Sequence, residues 1–114
     1  MHISKASAIQ RQAQYTLSSR LIDLRAETEQ AVAELRAAED NARAVASEQL
    51  TLAQNVQKSL EESYVVGGRP LTDVIDAQRN YRETYALYVT ARAEYWRALY
   101  RYDGVIGQQV TTHE

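Results

Sequence analysis

Apolar and small residues recur every seven positions along most of this chain. In the first half one row runs Leu17, Leu24, Ala31, Ala38, Val45 and Leu52, and a second runs Leu21, Thr28, Leu35, Ala42, Gln49 and Val56. In the second half Val74, Tyr81, Tyr88, Tyr95 and Tyr102 form one row. Its partner row is Leu71, Gln78, Tyr85, Arg92, Leu99 and Ile106. A hydrophobic repeat of about 3.5 residues, held this long, means supercoiled helices packed by interlocking side chains. Many seam positions are Ala, Thr or Ser, so the axes can approach closely while Tyr on the facing helix fills the space. No strand-like alternation of useful length is present.

Glycine and proline punctuate this pattern. The four glycines are Gly67, Gly68, Gly104 and Gly107, and the only proline is Pro70. Gly67 suits the residue just past a helix end, where a left-handed backbone is wanted. Pro70 suits the first turn of the next helix, where its missing N–H costs nothing. Asp73 and Asp76 then complement the positive end of that helix. The expected fold is all-α: a long antiparallel helical hairpin, a coiled coil with one long and one shorter helix. It forms a single helical-hairpin domain over 1–114, with a helix over about 3–66, a turn at 67–70, a helix over about 71–103 and a frayed C-terminal tail.

Length makes the two arms unequal. The first helix runs roughly 90 Å and the second roughly 50 Å at 1.5 Å per residue. Folded back from the turn, the second helix reaches about the level of Gln30. The stretch from Ile3 to about Glu29 then has no partner within the chain, yet it carries Ile9, Ala13, Leu17, Leu21 and Leu24. The second helix also bears another apolar row beside its tyrosines: Ala77, Thr84, Ala91, Ala98 and Val105. That is either a wide seam in an ordinary bundle or a sign of more than one neighbouring helix. Both features predict self-association, most simply with other copies of the chain.

Composition removes other classes. With no cysteine there is no disulfide framework, zinc ribbon or thiol nucleophile. A net charge of -2 offers no strongly basic surface for nucleic acid. No apolar run approaches the roughly 20 residues of a membrane-spanning helix, and MHISKASAIQ lacks the apolar core of a secretory leader. His2 and His113 lie at opposite ends in no ligand spacing, so no metal or cofactor is expected. Gly67-Gly68 is followed by no Lys-Ser/Thr and is no phosphate loop. Nothing assembles a nucleophile, a base and an oxyanion site, so an enzyme is not expected. Arg92 is the odd residue: a charge in a seam row, either snorkelling to water or forming a polar latch between helices.

The stretch ESYVVGGRPLTDVIDAQRNYRETYALYVTARAEYWRALYRYDGVIG resembles the second helical repeat of the TolC-type outer membrane efflux protein family. The pattern is Tyr64, Gly67, then Asp73-Val74-Ile75-Asp76-Ala77 and Gln78-Arg79, closing at Ile106-Gly107. Gln12 to Tyr15 and Ala31 to Glu39 in the long helix fit as well, so the resemblance covers most of 3–107. It implies a trimeric channel whose long α-helical barrel crosses the periplasm, each protomer holding two such hairpins. The turn after Tyr64 would lie at the periplasmic tip, where the tunnel closes and an adaptor and inner-membrane pump engage. The family's entrance latch maps onto Tyr64, Arg69 and Arg92, with Gly67, Asp73 and Asp76 shaping the tip. Tyr81, Tyr85, Tyr88, Tyr95, Leu99 and Tyr102 would be helix-packing residues.

This chain departs from the family in having no β-strands, no leader and only one hairpin. The resemblance therefore implies an excised or truncated segment, soluble by itself, of the periplasmic part of an outer membrane protein. The competing expectation is a generic coiled-coil adaptor or scaffold hairpin for protein–protein assembly.

Overall fold

The computed structural model describes residues 2–112, with side chains for 4–110. Its elements are α1 (His2–Ala44), a π-helical turn (Val45–Leu50), α2 (Thr51–Val65) and α3 (Leu71–Thr112). The first arm is α1, the π turn and α2 in one line; α3 folds back along it as an antiparallel hairpin. The molecule measures 97 × 21 × 15 Å, with a radius of gyration of 26.4 Å. A compact chain of this length would have a radius near 13 Å.

The turn follows from its sequence. Gly67 has φ +82°. Its N–H donates to the Tyr64 carbonyl (3.0 Å), and the Gly68 N–H donates to the Ser63 carbonyl (2.8 Å). These are the two bonds of a Schellman cap, and they satisfy carbonyls that the helix end leaves open. Pro70 closes the turn, as the expected bounds of 67–70 have it. It precedes α3, and its carbonyl accepts the Asp73 N–H at 3.1 Å.

The second helix is longer than its glycines suggest. It continues past residue 103 to Thr112, so 104–112 is helix and not a frayed tail. Each interior glycine costs a helix only about 1 kcal/mol. Val105, Ile106 and Gln109 offset that by half-burying against α1. Gln109 Nε2 donates to the Thr28 hydroxyl and to the Leu24 carbonyl, the latter at 3.5 Å. The arms therefore pair to about Leu24, not Gln30. Every residue from 8 to 23 is exposed, including Ile9, Leu17 and Leu21.

The core is a single file of small side chains. Buried positions are Ala31, Val45, Ala53, Val74, Ala77, Thr84, Ala91 and Ala98. In α3 the partner of the tyrosine row is therefore Ala77, Thr84, Ala91 and Ala98. It is not the row of Gln78, Tyr85, Arg92 and Leu99. Alanine wins because it lets the helix axes close, whereas Tyr85 or Arg92 in that place would hold them apart. The Thr84 hydroxyl donates to the Asn80 carbonyl at 2.8 Å, so its burial leaves nothing unpaired.

The first arm keeps strict heptad spacing through Leu24, Thr28, Ala31, Leu35, Ala38, Ala42 and Val45, all buried or half-buried. Past the half-buried Ala46 the seam resumes at Leu50, five positions beyond Val45, followed by Ala53, Gln57 and Leu60. The expected Gln49, Leu52 and Val56 all face water, with Leu52 63% and Val56 41% exposed. The π turn explains the slip. It takes in one extra residue and so advances the seam by one position. The Ser47 and Thr51 hydroxyls donate to the Arg43 and Ala46 carbonyls (2.7 and 3.2 Å) where backbone pairing changes step.

Candidate functional site

The expected site residues separate into a tip and a flank. At the tip, Tyr64 closes α2 with its ring 44% exposed, beside the fully solvated Val65 and Val66. Arg69 Nη1 lies 3.6 Å from Asp73 Oδ2, with the Arg69 side chain largely in water and Asp73 half-buried. Such a pair contributes less than about 1 kcal/mol, so it positions Arg69 more than it stabilises the turn. Asp76 is exposed one turn later. Tyr64, Gly67, Arg69, Asp73 and Asp76 thus share one end of the molecule.

Arg92 does not join them. It lies 16 residues beyond Asp76, about 24 Å further along α3. It is exposed on the seam's flank, not in the seam, so the choice between snorkelling and a latch within this hairpin does not arise. Together with Glu39, Ala42, Arg43, Tyr88 and Trp96 it lines a shallow groove between the arms. Glu39 is already engaged by Arg43 at 2.6 Å. Among the described residues Arg92 has no ion-pair partner.

The tyrosines are packing residues, with one exception. Tyr81, Tyr88, Tyr95 and Tyr102 half-bury along the seam, as does Leu99 at its edge. Tyr85 is exposed on the flank, though its ring stands 6.3 Å from that of Tyr81 and 6.2 Å from that of Tyr88. Tyr85 continues a stripe of exposed apolar residues, Leu71, Ile75, Val89 and Trp96, set to one side of the seam. The face of this helix is as broad as its sequence implies, but the alanine row packs against the first arm and the Tyr85 row flanks it. The two rows lie symmetrically about the tyrosines, and only the difference in side-chain size separates them.

Polar contacts between the arms are few. Gln78 Nε2 donates to Glu61 Oε1 at 3.4 Å near the tip, and Arg101 pairs with Glu34 towards the open end. Among the described residues no group of acidic or histidine side chains could hold a metal ion. No described helix is long and apolar enough to cross a membrane. His113 and the side chain of His2 lie outside what the structure describes. No family model, curated protein or solved structure matches the chain.

Proposed function

We propose that this chain is one hairpin in the wall of a periplasmic α-helical tunnel, part of an outer membrane efflux or secretion channel. Its role is structural and non-catalytic: it lines the passage and shapes the entrance. Full assembly takes a second hairpin, trimer partners, a periplasmic adaptor and an inner-membrane pump.

One observation carries most of this reading: the hairpin has far more surface than it can bury. Its accessible area is 9077 Å², against about 6,300 Å² for a compact chain of its mass. The excess is roughly 2,800 Å² on one chain, more than the share of about 1,000–2,500 Å² that each partner contributes to a permanent interface. The stripe of Leu71, Ile75, Tyr85, Val89 and Trp96 runs lengthwise beside the seam. A lengthwise apolar stripe suits a neighbouring helix laid parallel to it, as in the staves of a barrel. The tip supports the entrance role. It is tightly capped, yet it presents Tyr64, Val65, Val66 and Arg69 to whatever lies beyond it.

In this reading the latch closes between hairpins and not within one. Among the described residues Arg92 makes no ion pair, and in this reading its carboxylate partner comes from a neighbouring hairpin. In a channel containing this hairpin, Arg92→Ala and Tyr64→Ala should each raise single-channel conductance in a planar bilayer. Unchanged conductance in both variants would remove the latch role. Failure to form any channel, alongside stable assembly with an unrelated helical protein, would favour a scaffold hairpin instead.

A further inference from the structure

The π turn splits the first arm into two seams that do not share one register. Up to Val45 the seam follows unbroken heptad steps; past the half-buried Ala46 it continues through the half-buried Leu50, Gln57 and Leu60 and the buried Ala53. An uninterrupted α-helix would instead bury Gln49, Leu52 and Val56. Leu52 and Val56 are apolar enough to serve, yet both stand in water, as does the polar Gln49. Along the π turn and α2 one face offers Leu50, Ala53, Gln57 and Leu60, the other Gln49, Leu52, Val56 and Ser59. Counted whole, the π register buries about two more apolar carbon atoms than the straight one, a small margin in hydrophobic burial.

We propose that α2 holds two seam registers, one with the π turn and one without, and that the chain exchanges between them by turning α2 about its axis. One inserted residue corresponds to a rotation of roughly 100°. The parts of the hairpin away from α2 can stay in place, while the arms separate locally to admit Leu52. The seam of α1 ends at Val45, and α3 presents the same small residues in either state. At the far end the turn contains Gly67 and Gly68. The cap bonds from the Gly67 and Gly68 N–H groups to the Tyr64 and Ser63 carbonyls tie this turn to α2, so it moves with the rotation.

Close packing selects the register seen here. Ala53 is 4% exposed, and α3 presents Ala77 and Thr84, both buried, along the same stretch. Leu52 in the place of Ala53 would force the axes apart. A neighbour that covers Leu52 and Val56 strengthens that choice, and its removal releases α2. The π turn is thus a rotation joint whose setting reports whether that flank is occupied.

Introduced thiols can read the two registers, because the chain has no cysteine of its own. A disulfide forms only when the Cα atoms come within about 7 Å and the side chains face each other. The pair Ala53→Cys with Thr84→Cys reports the π register, and Leu52→Cys with Thr84→Cys reports the straight one. Both pairs are expected to cross-link under mild oxidation. In a variant lacking Ser47 the straight helix already places Ala53 on the seam. There the first pair should persist and the second should fall at least tenfold. The proposal is overturned if the Leu52 pair never forms, or forms equally well without Ser47. Methyl relaxation dispersion on the unaltered chain covers the case of a poorly folding variant. Exchange at Leu52 and Ala53 is expected, and flat profiles at both overturn the rotation.

Discussion

Substituting Ala91 by Leu tests the packing of the hairpin most sharply. Ala91 is 3% exposed at the middle of the α3 seam, between the half-buried Tyr88 and Tyr95. Leucine adds three carbon atoms where the axes are held close by small side chains. Helix propensity changes little between the two residues, so the effect isolates packing. Overfilling a close-packed site costs about 1–3 kcal/mol. For a chain of this size that lowers the thermal midpoint by roughly 4–12 °C. Ala86 is the control, because it is exposed on the same helix. Ala86→Leu should stay within about 0.5 kcal/mol of the parent. Both variants are compared by circular dichroism at 222 nm, at one concentration, since association shifts the midpoint. If Ala91→Leu matches or exceeds the parent while keeping its helix content, the small row does not set the distance between the arms.

Glycine gives a paired test of opposite sign. Gly67→Ala places a side chain at φ +82° and should cost about 1–2 kcal/mol. Gly104→Ala lies inside α3 with open space at its Cβ and should gain about 0.5–1 kcal/mol; urea unfolding measures both. Gln109→Ala removes the side-chain bonds to Thr28 and Leu24. Amide exchange should then quicken over 105–112 and stay unchanged around Ala91. Arg69→Ala breaks only a solvated ion pair, so stability should move by less than about 1 kcal/mol even where assembly is weakened.

Much of the hairpin was legible in the sequence, and the failures have physical causes. The turn was readable because Gly67 meets a backbone demand that other residues meet poorly, and the two cap hydrogen bonds follow from it. The end of α3 was not. Gly104 and Gly107 look like helix stops, but two modest propensity costs yield to the packing of Val105, Ile106 and Gln109. The π turn was hidden because both registers after Val45 are apolar. Leu52 and Val56 fit an unbroken heptad as well as Leu50 and Leu60 fit the shifted one. The misplacement of Tyr85 and Arg92 has a related origin. Their row and the alanine row flank the tyrosines equally, and only close approach of the axes, a tertiary effect, decides between them. The tip residues were found together, whereas Arg92 was grouped with them by resemblance and lies far along the helix.

The central claim is that this hairpin is incomplete alone and is built to be flanked. Sedimentation equilibrium from low to high micromolar concentration, with circular dichroism on the same samples, tests it directly. The hairpin should form oligomers that grow with concentration, and Trp96→Glu, placed on the exposed stripe, should weaken them at least tenfold. A strict monomer with its full helix content across that range, from residue 2 to residue 112, would contradict the claim.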